Sequence, residues 1–119
     1  MAYDPKNAKE KKGIPEDTVL TGIITNITDG KVSDFVKNTE KWEGDTNNPA
    51  IEITILVQYE GQEKEFKQVL TYQLENDTVI YPTKSNMGKY KKIYGKLPEE
   101  KDEIKCITDG NGFLKIKIE

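Results

Sequence analysis

The sequence predicts an all-β fold: a small five-stranded Greek-key barrel with one α-helix between its third and fourth strands. Three observations carry that expectation. Segments rich in β-branched residues alternate at period two, glycine-containing turn signals separate them, and a single amphipathic stretch, KSNMGKYKKIYGKL (84–97), interrupts the series.

At 119 residues the chain is one domain. Hydrophobic residues make up 34% and charged residues 33%, so the core is lean and the surface heavily charged. No apolar run approaches the roughly 20 residues of a membrane helix, and MAYDPKNAKEKKG lacks the apolar segment of a secretory signal. A soluble, cytoplasmic protein without a membrane partner is the expectation.

Residues 1–15 carry Pro5 and Pro15, no periodicity, and Lys6, Lys9, Lys11 and Lys12 against Asp4 and Glu10. They are expected to form a flexible N-terminal arm, with residues 16–119 as the folded domain. TVLTGIITNITDG reads as the first strand, with Val19, Thr21, Ile23, Thr25 and Ile27 on one face and Gly22 suggesting a bulge. It can resume through KVSDFV. A long polar loop, KNTEKWEGDTNNP (37–49), contains the one tryptophan.

AIEITILVQYEG alternates cleanly: Ile51, Ile53, Ile55, Val57 and Tyr59 share a face, opposite Glu52, Thr54, Leu56 and Gln58. A turn at Gly61-Gln62 and the return strand KEFKQVLTYQL complete a hairpin. Segment 75–84 reads as irregular. In the helix, Met87, Tyr90, Ile93, Tyr94 and Leu97 form a buried stripe, Ser85 caps the start and Gly95 stops it. Lys89, Lys92 and Lys96 lie opposite the stripe, facing water. EIKCITDGNGFLKIKIE closes the chain as a second hairpin.

Five short strands with a coiled, glycine-broken first strand and a helix after the third are what an OB-fold requires. An immunoglobulin-type sandwich wants about seven strands and no such helix. The pattern TGIITNI, NNPAIEITILVQYEG and PTKSNMGKYKKIYG resembles a group of archaeal and viral OB-fold domains similar to replication protein A and other single-stranded-DNA-binding proteins. The resemblance spans roughly residues 18–118, and its most specific part is SNMGKYKKIYG. It implies an OB barrel and the binding of single-stranded nucleic acid. Bacterial single-stranded-DNA-binding proteins carry an acidic partner-recruiting tail; this chain stops at IKIE, so tail-mediated recruitment is not expected.

Histidine is absent and Cys106 is alone, which removes Ser-His and Cys-His nucleophile pairs, cysteine-rich zinc sites and intramolecular disulfides. No catalytic residue, metal site or cofactor is predicted, and the protein is read as a non-enzyme. All 18 basic residues are lysine. Without arginine's planar fork, nucleic acid would be held by point charges and stacking, with little sequence readout.

Stacking on aromatic side chains beside a basic groove is how single strands are bound without sequence preference. Trp42, between Lys41 and Glu43, is the leading stacking candidate; folding back over the barrel mouth is its alternative. Phe35 and Tyr81 are weaker. Lys31, Lys37, Lys41, Lys64 and Lys67 would track phosphates. Phe66 and Tyr72 form a stacking platform beside Lys64 if they face outward and are core if they face inward.

The two ITDG copies, 27–30 and 107–110, read as Asp-Gly turns; neither supplies the ligand set of a calcium loop. LPEEKDEIK, with Glu99, Glu100, Asp102 and Glu103, reads as a solvated loop. The functional expectation is single-stranded DNA or RNA binding in replication, recombination or repair, with protein partners in DNA metabolism or self-association. The alternative is a protein-interaction or assembly module that binds no nucleic acid.

Overall fold

The computed structural model describes residues 3–8, 14–42 and 44–118. Strands β1 (Val19–Lys31), β2 (Pro49–Tyr59), β3 (Gln62–Thr71), β6 (Glu103–Thr108) and β7 (Leu114–Ile116) form one antiparallel sheet in the order β3-β2-β1-β6-β7. A separate hairpin, β4 (Gln73–Glu75) and β5 (Thr78–Ile80), follows β3. Helix α1 (Val32–Phe35) follows β1, and α2 (Asn86–Tyr94) lies between β5 and β6. The sheet curls into a nearly closed barrel. Its two edge strands meet through a side chain: the Ile116 N–H donates to Gln68 Oε1 at 2.8 Å. No helix among the described residues is long and apolar enough to cross a membrane.

The long first strand serves two neighbours. Gly22–Lys31 pairs with β2, and Val19–Ile23 pairs with β6. Between Ile24 and Asn26 the register slips by one residue, a β-bulge at Thr25. Because side chains alternate strictly, that extra residue switches the face that points inward. Leu20, Gly22 and Ile24 face the core before the bulge and Ile27 faces it after, so Val19 and Ile23 are about half exposed, 47% and 48%. The face expected from period two is therefore broken at Thr25. The bulge sits here, not at Gly22. Glycine at 22 answers to packing instead: a Cβ there would lie 2.7 Å from both Cys106 Sγ and Ile55 Cγ2.

The β2–β3 turn is the two-residue pair Glu60-Gly61, both at positive φ (49° and 77°), the backbone that matches the twist of a tight hairpin. Segment 75–84, read as irregular, begins inside a second such hairpin, Gln73–Ile80. Its turn residues Asn76 and Asp77 also take positive φ, 49° and 62°, which these two residue types tolerate. The first ITDG copy is not a turn; Ile27–Gly30 lies inside β1. The second is: Asp109 accepts from the N–H groups of Asn111 and Phe113 through Oδ1, both at 2.9 Å. KVSDFV does not resume the strand, because the Lys31 N–H donates to Asp34 Oδ2 (2.9 Å) and starts α1.

Helix α2 matches its expected limits. Ser85 Oγ accepts from the Gly88 N–H at 3.2 Å, and Gly95 ends the helix at φ 79°. Met87 and Tyr90 are buried, while Ile93, placed in the stripe by sequence, is 45% exposed. The core joins these to Ile24, Ile53, Ile55, Val57, Leu70, Ile104, Cys106 and Ile116.

Of the expected arm over residues 1–15, residues 1–2 and 9–13 lie outside the described residues. Of its last two residues, Ile14 is buried and the Pro15 carbonyl accepts a hydrogen bond from Thr108 Oγ1.

Candidate functional site

Strand register decides which side chains share a face. Across β1, β2 and β3 the inward rows are Ile24–Ile55–Phe66, Ile27–Ile53–Gln68 and Asp29–Ile51–Leu70. The outward rows are Ile23–Leu56–Glu65, Asn26–Thr54–Lys67 and Thr28–Glu52–Val69. The β3 candidates are thereby divided.

Phe66 faces inward and packs against the core. Tyr72, just past β3, is 8% exposed, and its hydroxyl donates to Asp29 Oδ1 at 2.5 Å. Burial first, then that hydrogen bond and the Asp29 charge, push the Tyr72 hydroxyl up to about 12. Phe66 and Tyr72 thus take the core alternative and make no exposed stacking platform. Lys64 is on their side of β3, opposite Val57 and half-buried. Lys67 alone points outward, where its Nζ is 3.7 Å from Glu52 Oε1. With Glu63 opposite Gln58, the outer face of β2 and β3 sets Glu52, Glu63 and Glu65 against Lys67.

The connection from β1 to β2 holds the other candidates. Lys31, Lys37 and Lys41 are exposed, and Trp42 is half-buried directly after a 3-10 turn, Thr39–Lys41. The connection is held at its base: Val32 and Ser33 donate their N–H groups to Asn48 and Thr46 carbonyls (3.1 and 2.9 Å). Phe35 packs against the backbone of Gly30, where a Cβ would come within 3.0 Å of its ring. This part of the barrel surface is closed by α1. Tyr81, the other weak candidate, is half-buried.

Sequence reasoning passed over the β6–β7 hairpin as a site. Phe113, at its turn, is 70% exposed. On the outer face of these strands Lys105 stands beside Lys117, and Ile107 beside Lys115. The signal was readable: in FLKIK the residues Phe113, Lys115 and Lys117 alternate at period two, so one face of the strand carries all three.

The helix lysines differ among themselves. Lys96 Nζ is 2.8 Å from Asp102 Oδ1 and 3.4 Å from Glu99 Oε2, so the acidic loop after α2 engages it. The same loop pairs with the bulge: the Lys101 N–H donates to the Ile24 carbonyl (2.7 Å), and the Ile24 N–H donates to the Asp102 carbonyl (2.9 Å).

A cavity of ≈ 320 Å³ is lined by Ile27, Ile51, Met87 and Leu97 together with Tyr72 and Asp29. Cys106 is buried, and burial pushes its thiol up to about 12, so it stays protonated and weakly nucleophilic at neutral pH. Among the described residues, no group of three or more Cys, Asp or Glu is placed to hold a metal ion. No family model, curated protein or solved structure matches this chain.

Proposed function

We propose that the protein is an OB-fold that binds single-stranded nucleic acid, with little sequence preference and without catalysing a reaction. The supporting observation is the strand order β3-β2-β1-β6-β7, with a helix between the third and fourth sheet strands. A first strand shared between two neighbours, and a fifth approaching the third through Gln68, belong to the same arrangement. In that fold the loops joining the first two and the last two strands flank the ligand. Here the first carries Lys37, Lys41 and Trp42 after Lys31 at the end of β1, and the second carries Phe113 just before Lys115 in β7. The net charge of −3 opposes a polyanion, but local lysine clusters govern the encounter more than the total does. A place in replication, recombination or repair is the corresponding role.

One observation favours the second reading, a protein-interaction module. The outer face of β2 and β3 sets three glutamates against one lysine and adds half-exposed Ile23, which suits a protein partner better than a phosphate chain. Titration with an oligothymidylate, duplex DNA and single-stranded RNA at two salt concentrations, read by Trp42 fluorescence and by anisotropy of the labelled oligonucleotide, separates the two. Binding of the single strands that weakens with salt supports the first. No binding of any of the three at low salt would transfer the case to the second.

A further inference from the structure

We infer that the nucleic-acid backbone is held on the outer face of β1, β6 and β7, by Lys105, Lys115 and Lys117, with a base stacked on Phe113. The inference rests on the single-strand reading above and moves its phosphate-binding lysines away from the acidic β2–β3 surface. The register places the residues. Thr21 is opposite Lys105 and Val19 opposite Ile107 across the β1–β6 ladder. Lys115 is opposite Ile107, and the Lys117 N–H donates to the Lys105 carbonyl at 2.9 Å, which sets those two lysines side by side.

Like charges directly opposite each other weaken a sheet, and the described residues offer little to offset them. No carboxylate among them lies within ion-pair distance of Lys105, Lys115 or Lys117. Lys105 Nζ instead reaches a neutral partner, Thr21 Oγ1, at 3.0 Å. Three acids share this face. Glu103 is across from Ile23, beyond the lysine pair, Asp17 lines the groove beside β7 without pairing with either lysine, and Asp109 has Oδ1 occupied by two N–H groups of its own turn. A lysine pair with no described carboxylate in ion-pair reach suits an anion.

The geometry suits an extended chain of anions in particular. Alternate residues recur every ~6.6 Å along a strand; Phe113 and Lys117 flank the three residues of β7 on either side of Lys115, so one aromatic and two cations follow one another at about the spacing of an extended phosphodiester chain. A groove of ≈ 550 Å³ runs beside β7, lined in part by Ile107, Lys115, Lys117, Gln68 and Asn86. The Tyr94 hydroxyl accepts from the Lys105 N–H and donates to the Lys117 carbonyl, fixing the backbone under the lysine pair.

The test uses the full chain and a fluorescein-labelled oligothymidylate, with affinity measured across a salt series. Lys115→Gln with Lys117→Gln should weaken binding at least ~10-fold at low salt and flatten the salt slope by about 1.4, or 0.7 for each single-strand phosphate no longer neutralised. Restoring charge with Lys115→Arg and Lys117→Arg should recover the slope, which a merely structural defect would not. Phe113→Ala should weaken binding by about 5- to 150-fold, the worth of one base–aromatic stack. Lys91→Gln with Lys92→Gln, both exposed on α2, should leave the slope near that of the unmodified protein. If the unmodified protein binds while the Lys115/Lys117 glutamine variant keeps its affinity and slope, the inference fails and the single-strand reading stands. If the unmodified protein does not bind at low salt, both fail.

Discussion

The Tyr94 hydroxyl, at the end of α2, donates to the Lys117 carbonyl at 2.6 Å and accepts from the Lys105 N–H at 3.3 Å. One side chain thus ties the helix to both strands of the last hairpin. The ring also packs on Tyr90, with centroids 4.6 Å apart and planes tilted by 42°, an arrangement favoured by aromatic quadrupoles. The helix does more than plug the barrel: it holds the strand pair that carries the lysine row.

Tyr94→Phe keeps the ring and removes the two hydrogen bonds. The site is only half-buried, so water partly replaces the missing partners, and the cost should be roughly 1 kcal/mol. Urea denaturation reads this as a lower midpoint at unchanged slope. An unchanged midpoint would mean the hydroxyl contributes nothing to docking the helix.

Gly22→Ala should be more damaging. The added methyl group would lie 2.7 Å from Cys106 Sγ and from Ile55 Cγ2, both on strands that flank β1. Overpacking of this kind costs about 1–3 kcal/mol. Pairing Gly22→Ala with Cys106→Ala, which empties one side of the clash, should recover part of that loss. Additive losses in the double variant would show that the clash with Cys106 is not the cause.

These two residues also mark what was legible in the sequence. Helix α2 could be read because cap, stripe and stop agree within one short segment, and β2 because its alternation is unbroken. Strand β1 could not be read for facing, since a single bulged residue, Thr25, inverts its parity, and nothing local to the chain announces the bulge. It is held by backbone bonds from Lys101 and Asp102, about 75 residues away in sequence. The first ITDG looked like a turn for a similar reason: Asp29 is used by Tyr72 and Gly30 by Phe35, both tertiary partners. The facing of Phe66 and Tyr72 likewise awaited the register with β2. Phe113, by contrast, is legible locally, because Phe113, Lys115 and Lys117 fall at period two in one short segment.

Stability should fall at alkaline pH. Burial raises the Cys106 thiol from 9.0 to about 12 and the Tyr72 hydroxyl from 10.0 to about 12, and it raises the Tyr90 hydroxyl further still. Each folded-state value is above the unfolded one, so the folded form keeps protons that the unfolded chain releases. Their contribution is complete below pH ~9 and is lost as pH rises toward 12. Lys96, raised chiefly by its hydrogen bond to Asp102, has the same sign. The urea midpoint should therefore hold steady from about pH 7 to 9 and drop by about pH 11. A midpoint as high at pH ~11 as at pH ~8 would contradict the buried placement of these groups. Tyr72→Phe should soften the drop, having no hydroxyl to ionise.

The last prediction sets helix propensity against packing. Gly88 lies inside α2, where alanine is intrinsically better by about 0.8–1.0 kcal/mol, so a reading of the helix alone expects Gly88→Ala to stabilise. The surroundings say otherwise. A Cβ at 88 would sit 2.5 Å from the Pro82 carbonyl oxygen and 2.6 Å from that of Thr83. These are backbone atoms that cannot swing aside, and the Pro82 carbonyl also accepts the Ser85 Oγ–H and N–H that shape the helix start. Relief requires the helix to lift from the segment before it, which would also disturb Met87 and Tyr90 in the core. Packing loss of about 1–3 kcal/mol exceeds or cancels the propensity gain, so the net effect should be destabilising by up to about 2 kcal/mol. Thermal and urea unfolding of Gly88→Ala decide it. A variant more stable than the unmodified protein would mean that α2 does not approach residues 82–83 this closely in solution.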